Sequence, residues 1–69
     1  MKVKDLIENC VKDKEFYIKI GCFYKVLLFT SNKDIRKYTS YQILKEKEVK
    51  QWSFEENPEY GICQIDVYI

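Results

Sequence analysis

The last ten residues, Tyr60-Gly61-Ile62-Cys63-Gln64-Ile65-Asp66-Val67-Tyr68-Ile69, decide the fold class. Cys63, Ile65, Val67 and Ile69 alternate with Ile62, Gln64, Asp66 and Tyr68. Successive side chains of a strand point to opposite faces, so this spacing predicts a strand with one buried face. Upstream, Glu55-Glu56-Asn57-Pro58-Glu59 reads as a loop, because Pro58 lacks an amide donor and restricts Asn57. Val49 to Phe54 is the preceding strand, with Trp52 and Phe54 on one face.

The same alternation appears nearer the N-terminus. Phe16, Ile18 and Ile20 are interleaved with Tyr17 and Lys19, and Gly21 supplies the positive φ of a turn. A second strand follows from Tyr24 to Thr30. Val26 and Leu28 point one way, Leu27 and Phe29 the other; such a strand is covered on both sides or exposes a patch. Before this hairpin, Val3, Leu6, Ile7, Cys10 and Val11 form one face of a helix. Between the hairpins, Ser31-Asn32-Lys33-Asp34 is turn chemistry. Thr39 or Ser40 then caps a short helix with Ile43 and Leu44 buried. The order is α-β-β-α-β-β in one domain, residues 1–69. The expectation is a two-layer α+β fold, a four-stranded antiparallel sheet with a helix packed on one face.

Size limits what such a domain does. With 69 residues, the core alone rarely supplies more than about 3–5 kcal/mol, and no deep catalytic pocket fits. Hydrophobic residues at 46% and aromatics at 16% exclude a disordered chain. Net charge is +1, but residues 1–45 carry ten Lys or Arg against five Asp or Glu, and residues 46–69 two against six. The longest apolar run, Val26-Leu27-Leu28-Phe29, is far short of a membrane span. Three cysteines, Cys10, Cys22 and Cys63, are odd in number and form no C-x-x-C pair. They read as reduced thiols in a cytoplasm, with Cys10 and Cys63 buried and Cys22 reached by water.

The missing chemistry is informative. There is no histidine, which removes the commonest general base and every His-based zinc site. Gly21 and Gly61 are too far apart for a phosphate loop. The expectation is no catalytic residue, no metal and no cofactor. The six tyrosines point to binding instead, since tyrosine offers contact area at low entropic cost. Tyr17, Tyr68, Leu27 and Phe29 are the candidate docking residues on the outer sheet face. Glu55, Glu56 and Glu59 form an acidic rim that steers a basic partner. A nucleic-acid surface is the alternative, built from Lys19, Lys25, Lys33, Arg36 and Lys37 with Tyr17 and Tyr24 interleaved.

The opening Met1-Lys2-Val3-Lys4-Asp5-Leu6-Ile7-Glu8 resembles small accessory proteins of Firmicute prophages and mobile elements. Asp34-Ile35, Ile43-Leu44, Val49 and the strand Cys63 to Ile69 follow in the same order, with Arg36 in place of that family's usual proline. The first twenty residues are also similar to the start of a small Listeria-prophage anti-CRISPR. No catalytic or binding residue carries over from either resemblance. Together with the small size and the missing chemistry, this resemblance leads to the expectation of a non-enzymatic phage or mobile-element accessory protein, cytoplasmic in a bacterial host, that binds a host protein and inhibits a defence system. The other readings are a nucleic-acid-binding accessory protein and a structural homodimer; no membrane role is expected.

Overall fold

A computed structural model of the chain describes residues 1–9, 15–57 and 62–69. Cys10, Val11, Pro58, Glu59, Tyr60 and Gly61 lie outside the described residues. The elements are α1 (Val3–Glu8), β1 (Tyr17–Cys22), β2 (Lys25–Ser31), a single 3-10 turn (Ile35–Lys37), α2 (Thr39–Leu44), β3 (Gln51–Asn57) and β4 (Ile62–Tyr68). Their order is the expected α-β-β-α-β-β.

The four strands form one sheet in the order β2-β1-β4-β3. Each hairpin is antiparallel inside, but the two central strands, β1 and β4, run parallel. The sheet is therefore mixed, which corrects the antiparallel expectation. Alternation assigns faces to residues but says nothing about which strands become neighbours. With β1 and β4 parallel, the chain leaving β2 must travel back along the sheet before entering β3. Residues 32–50 make that crossing and carry α2.

One sheet face carries the core, and it is called the inner face here. Ile18 and Ile20 of β1, Leu28 of β2, and Ile65 and Val67 of β4 pack in one cluster with Val3, Leu6 and Ile7 of α1. Ile35, Tyr41 and Leu44 from the crossing segment join the same cluster. Both helices thus lie on the inner face. Tyr41 and Leu44, three apart, supply the buried stripe of α2. Ile43, expected to be buried, is 66% exposed, because at about 100° per residue it falls on the side of the helix away from Tyr41 and Leu44. The first turn of α1 has amide donors with no intrahelical partner. Val3 donates to the Lys47 carbonyl and Lys4 to the Lys45 carbonyl, each at 3.0 Å. Lys2 and Lys4 also reach Glu46 at 3.0 Å each, and together they hold its carboxyl down to about 2. These contacts fasten the two helical segments to each other.

The first hairpin departs from expectation at its tip. Gly21 is not the turn; it sits within β1 opposite Val26. The turn is Phe23-Tyr24, and Phe23 adopts φ 57°, the left-handed region that costs a bulky residue strain. Between Leu28 and Val26 the register slips by one residue, leaving Leu27 as a β-bulge. The bulge puts Val26 on the face opposite Leu28, not beside it as plain alternation implies.

Candidate functional site

The outer face follows from the register as three rows, each read from β2 to β3. The first is Val26, Gly21, Tyr68 and Gln51; the second is Phe29, Lys19, Asp66 and Ser53; the third is Ser31, Tyr17, Gln64 and Glu55. No described helix packs on it, since the buried residues of both helices belong to the inner cluster. The β2 side is apolar and aromatic, and the β3 side is polar. Tyr17 and Phe29 are diagonal neighbours with rings stacked at 5.6 Å and 14°. Such cross-strand aromatic pairs hold each other in place at modest cost to either ring's exposure.

The polar half is anchored by Asp66, only 5% exposed although it belongs to the outer face. Its position on a central strand, between Lys19 and Ser53, explains the burial. The Gln64 amide donates to its carboxylate at 2.6 Å, so the buried carboxylate is hydrogen-bonded.

Above the first row lies the hairpin tip. Phe23 is 85% exposed and Tyr24 is fully exposed. The Lys50 ammonium lies 5.9 Å from the Phe23 ring centroid, within cation–π range. Behind the tip is an open groove of about 210 Å³, lined by Lys19, Gly21, Lys25, Val26 and Tyr68 together with the two tip aromatics. Gly21 leaves the floor open: a Cβ there would meet the Lys25 carbonyl oxygen at 3.3 Å.

The candidate docking residues divide as follows. Tyr17, Phe29 and Tyr68 share the outer face, with Phe29 and Tyr68 exposed and Tyr17 half-buried. Leu27 is exposed at the bulge. Glu55 and Glu56 are not in a loop but in β3, paired with Gln64 and Cys63, so they fall on opposite faces and cannot form one rim. Glu59 lies outside the described residues. Cys22 and Cys63 are both free and half-buried, so neither the expected exposure of the first nor the full burial of the second is seen.

Val26, Phe23 and Lys50 were not among the expected site residues. The bulge that turns Val26 outward leaves no trace in composition. The tip did have a signal: Cys22-Phe23-Tyr24-Lys25 joins two strands with neither glycine nor asparagine at the turn. The basic residues proposed for nucleic acid are split. Lys19 and Lys25 line the tip groove, whereas Lys33, Arg36 and Lys37 lie beyond the far end of β2. Among the described residues no group of three or more His, Cys, Asp or Glu could hold a metal, and no helix is long and apolar enough to cross a membrane. Comparison with known families, curated proteins and solved structures finds no match.

Proposed function

We propose that this chain is a binding module that docks a protein partner on the outer sheet face and the Phe23-Tyr24 tip. One observation carries the reading: both helices pack on the inner face, so a face bearing the Tyr17–Phe29 stack and Tyr68 has no described helix over it and continues into two exposed aromatics. A contiguous apolar patch with polar edges on a protein this small is the usual mark of an interface. The prophage-like opening supports a concrete form, inhibition of a host defence system by occupying one of its proteins.

The test uses the full chain as bait in a bacterial lysate, beside Phe29→Ala and Tyr24→Ala baits. The partner retained by the wild type should be lost, or weakened about tenfold, with both variants. Retention by both variants rejects this face. In cells carrying a defence system, protection given by the wild type should be lost with the same two substitutions.

The nucleic-acid reading has one observation in its favour, the lysines Lys19, Lys25 and Lys50 beside the tip aromatics, a combination that suits stacked bases and phosphates. Against it, Asp66 and Glu55 lie on the same face. Titration with random single-stranded DNA decides: binding that survives about 200 mM salt favours nucleic acid, and weak binding that salt abolishes favours protein.

A further inference from the structure

The two edges of the sheet are unlike. β2 is interrupted by the Leu27 bulge, a common device that spoils an edge for pairing. β3 is the other edge. Its register against β4 runs unbroken from Gln51 to Asn57, with no proline, glycine or bulge. Its inner-face residues Trp52 and Phe54 pair with Val67 and Ile65 of the core, yet they are 48% and 53% exposed. The helical layer therefore leaves them uncovered, and two large rings continue the core into solvent beside a strand edge that pairs with no other described strand.

The geometry points to a second copy of this chain as the occupant: β3 pairs antiparallel with β3 of the other copy about a two-fold axis at Ser53. The choice of axis is decided by the residues. Centred on Ser53, Trp52 lies opposite Phe54 of the second copy and Phe54 opposite its Trp52. Gln51 lies opposite Glu55, and Lys50, one residue beyond the strand, lies opposite Glu56. Aromatics meet aromatics, Lys50 meets Glu56 of opposite charge, and Glu55 meets the neutral amide of Gln51, twice each by symmetry. Centred on Phe54 instead, Glu56 would face Trp52. Centred on Glu55, its carboxylate would face its own image. An axis perpendicular to the sheet keeps the inner faces on one side, so the four rings form one cluster between the two helical layers. The product is a continuous eight-stranded sheet with the outer face of each copy still free. This interface leaves the outer face free and shares one residue with the tip, Lys50, whose ammonium lies near the Phe23 ring in the single copy and turns to Glu56 of the second.

Sedimentation equilibrium of the full chain from micromolar to millimolar concentration tests it. The mass should rise from the 8.4 kDa monomer toward twice that value. A monomer throughout overturns the proposal. In an antiparallel pair the two Ser53 Cα atoms lie about 4.5–5.5 Å apart, inside the range of roughly 4.4–6.8 Å that a disulfide spans. Oxidised Ser53→Cys should therefore give a covalent dimer, with the link mapped by peptide mass spectrometry to Cys at 53 in both chains. A dimer without that link places the interface elsewhere and overturns the proposal. Phe54→Lys should weaken association about tenfold with circular dichroism unchanged. If that variant fails to fold, charge reversal decides. Lys50→Glu and Glu56→Lys should each weaken the dimer about threefold or more, and the double variant should restore it. No restoration rejects the Ser53 register.

Discussion

The two edge strands, β2 and β3, expose their aromatics on opposite faces of one sheet. In the first, the bulge at Leu27 and the stack on Tyr17 put Val26 and Phe29 on the outer face, away from both helices. In the second, Trp52 and Phe54 sit on the inner face but past the limit of the helical layer. The central strands between them bury every aliphatic side chain they point inward: Ile18, Ile20 and Val67 are essentially inaccessible and Ile65 nearly so. Hydrophobicity alone does not separate these three regions. What separates them is cover, and cover is set by where the chain crosses between hairpins.

The largest effects should fall on the central strands. Ile18→Ala or Ile20→Ala removes a fully buried side chain and should cost about 2–5 kcal/mol in urea unfolding. Trp52→Ala and Phe54→Ala, measured at concentrations low enough to keep the chain monomeric, should cost less than about 1 kcal/mol, the range of exposed sites. Equal losses at both places would mean that the β3 rings are core and would break the comparison.

A second test asks which residues form the helical layer itself. Tyr41→Ala should cost about 3 kcal/mol, since the ring is buried in the cluster. Ile43→Ala, two residues on, should stay within about 0.5 kcal/mol. The opposite ranking would rotate α2 and restore the sequence expectation.

That expectation shows what was readable. Period-two alternation located the inward sets of β1 and β4, and the order of elements followed from turn chemistry. The face of α2 was not readable, because six residues contain too few turns for the period to choose between Ile43 and Tyr41. The parallel pairing of β1 with β4 was not readable either, since each hairpin is locally antiparallel and only the non-local contact distinguishes the arrangements. For the candidate site, Phe29 and Tyr68 are exposed on the outer face, whereas Pro58 points to an early strand end and so to a loop that holds Glu55 and Glu56. The strand instead runs to Asn57.

The hairpin tip sharpens the comparison at smaller scale. Phe23 holds φ 57° where the second hairpin has no counterpart among the described residues. Phe23→Gly should leave stability within about 0.5 kcal/mol, because the relief of strain is offset by greater freedom in the unfolded chain. Phe23→Val should cost roughly 1–2 kcal/mol, since a β-branched side chain tolerates that region worst. If valine does as well as glycine in thermal unfolding, the tip is not strained and the rings are exposed for no backbone reason.

The smallest effect belongs to the fastening of α1 to the segment that links the hairpins. Glu46 accepts from Lys4 and Lys2, and these hydrogen bonds lower its carboxyl from the ordinary 4.5 to about 2. A depressed carboxyl stabilises the folded state above its unfolded value and loses that contribution as pH falls through the folded value. The contribution should therefore be whole above about pH 4.5, fade between 4.5 and about 2, and be absent below. At the alkaline end, Lys4 is raised above 10.5, first by its bond to Glu46. Its contribution is whole below that pH and is lost as pH rises through the raised value. All three groups are exposed, so the effect is small and salt screens it. Glu46→Gln isolates it. The stability gap between wild type and variant should be flat from pH 5 to 9, close as acid approaches pH 2, and shrink in high salt. A gap that persists at pH 2 would show that it does not come from the Glu46 charge, leaving the backbone bonds from Val3 and Lys4 as the fastening between α1 and the crossing segment.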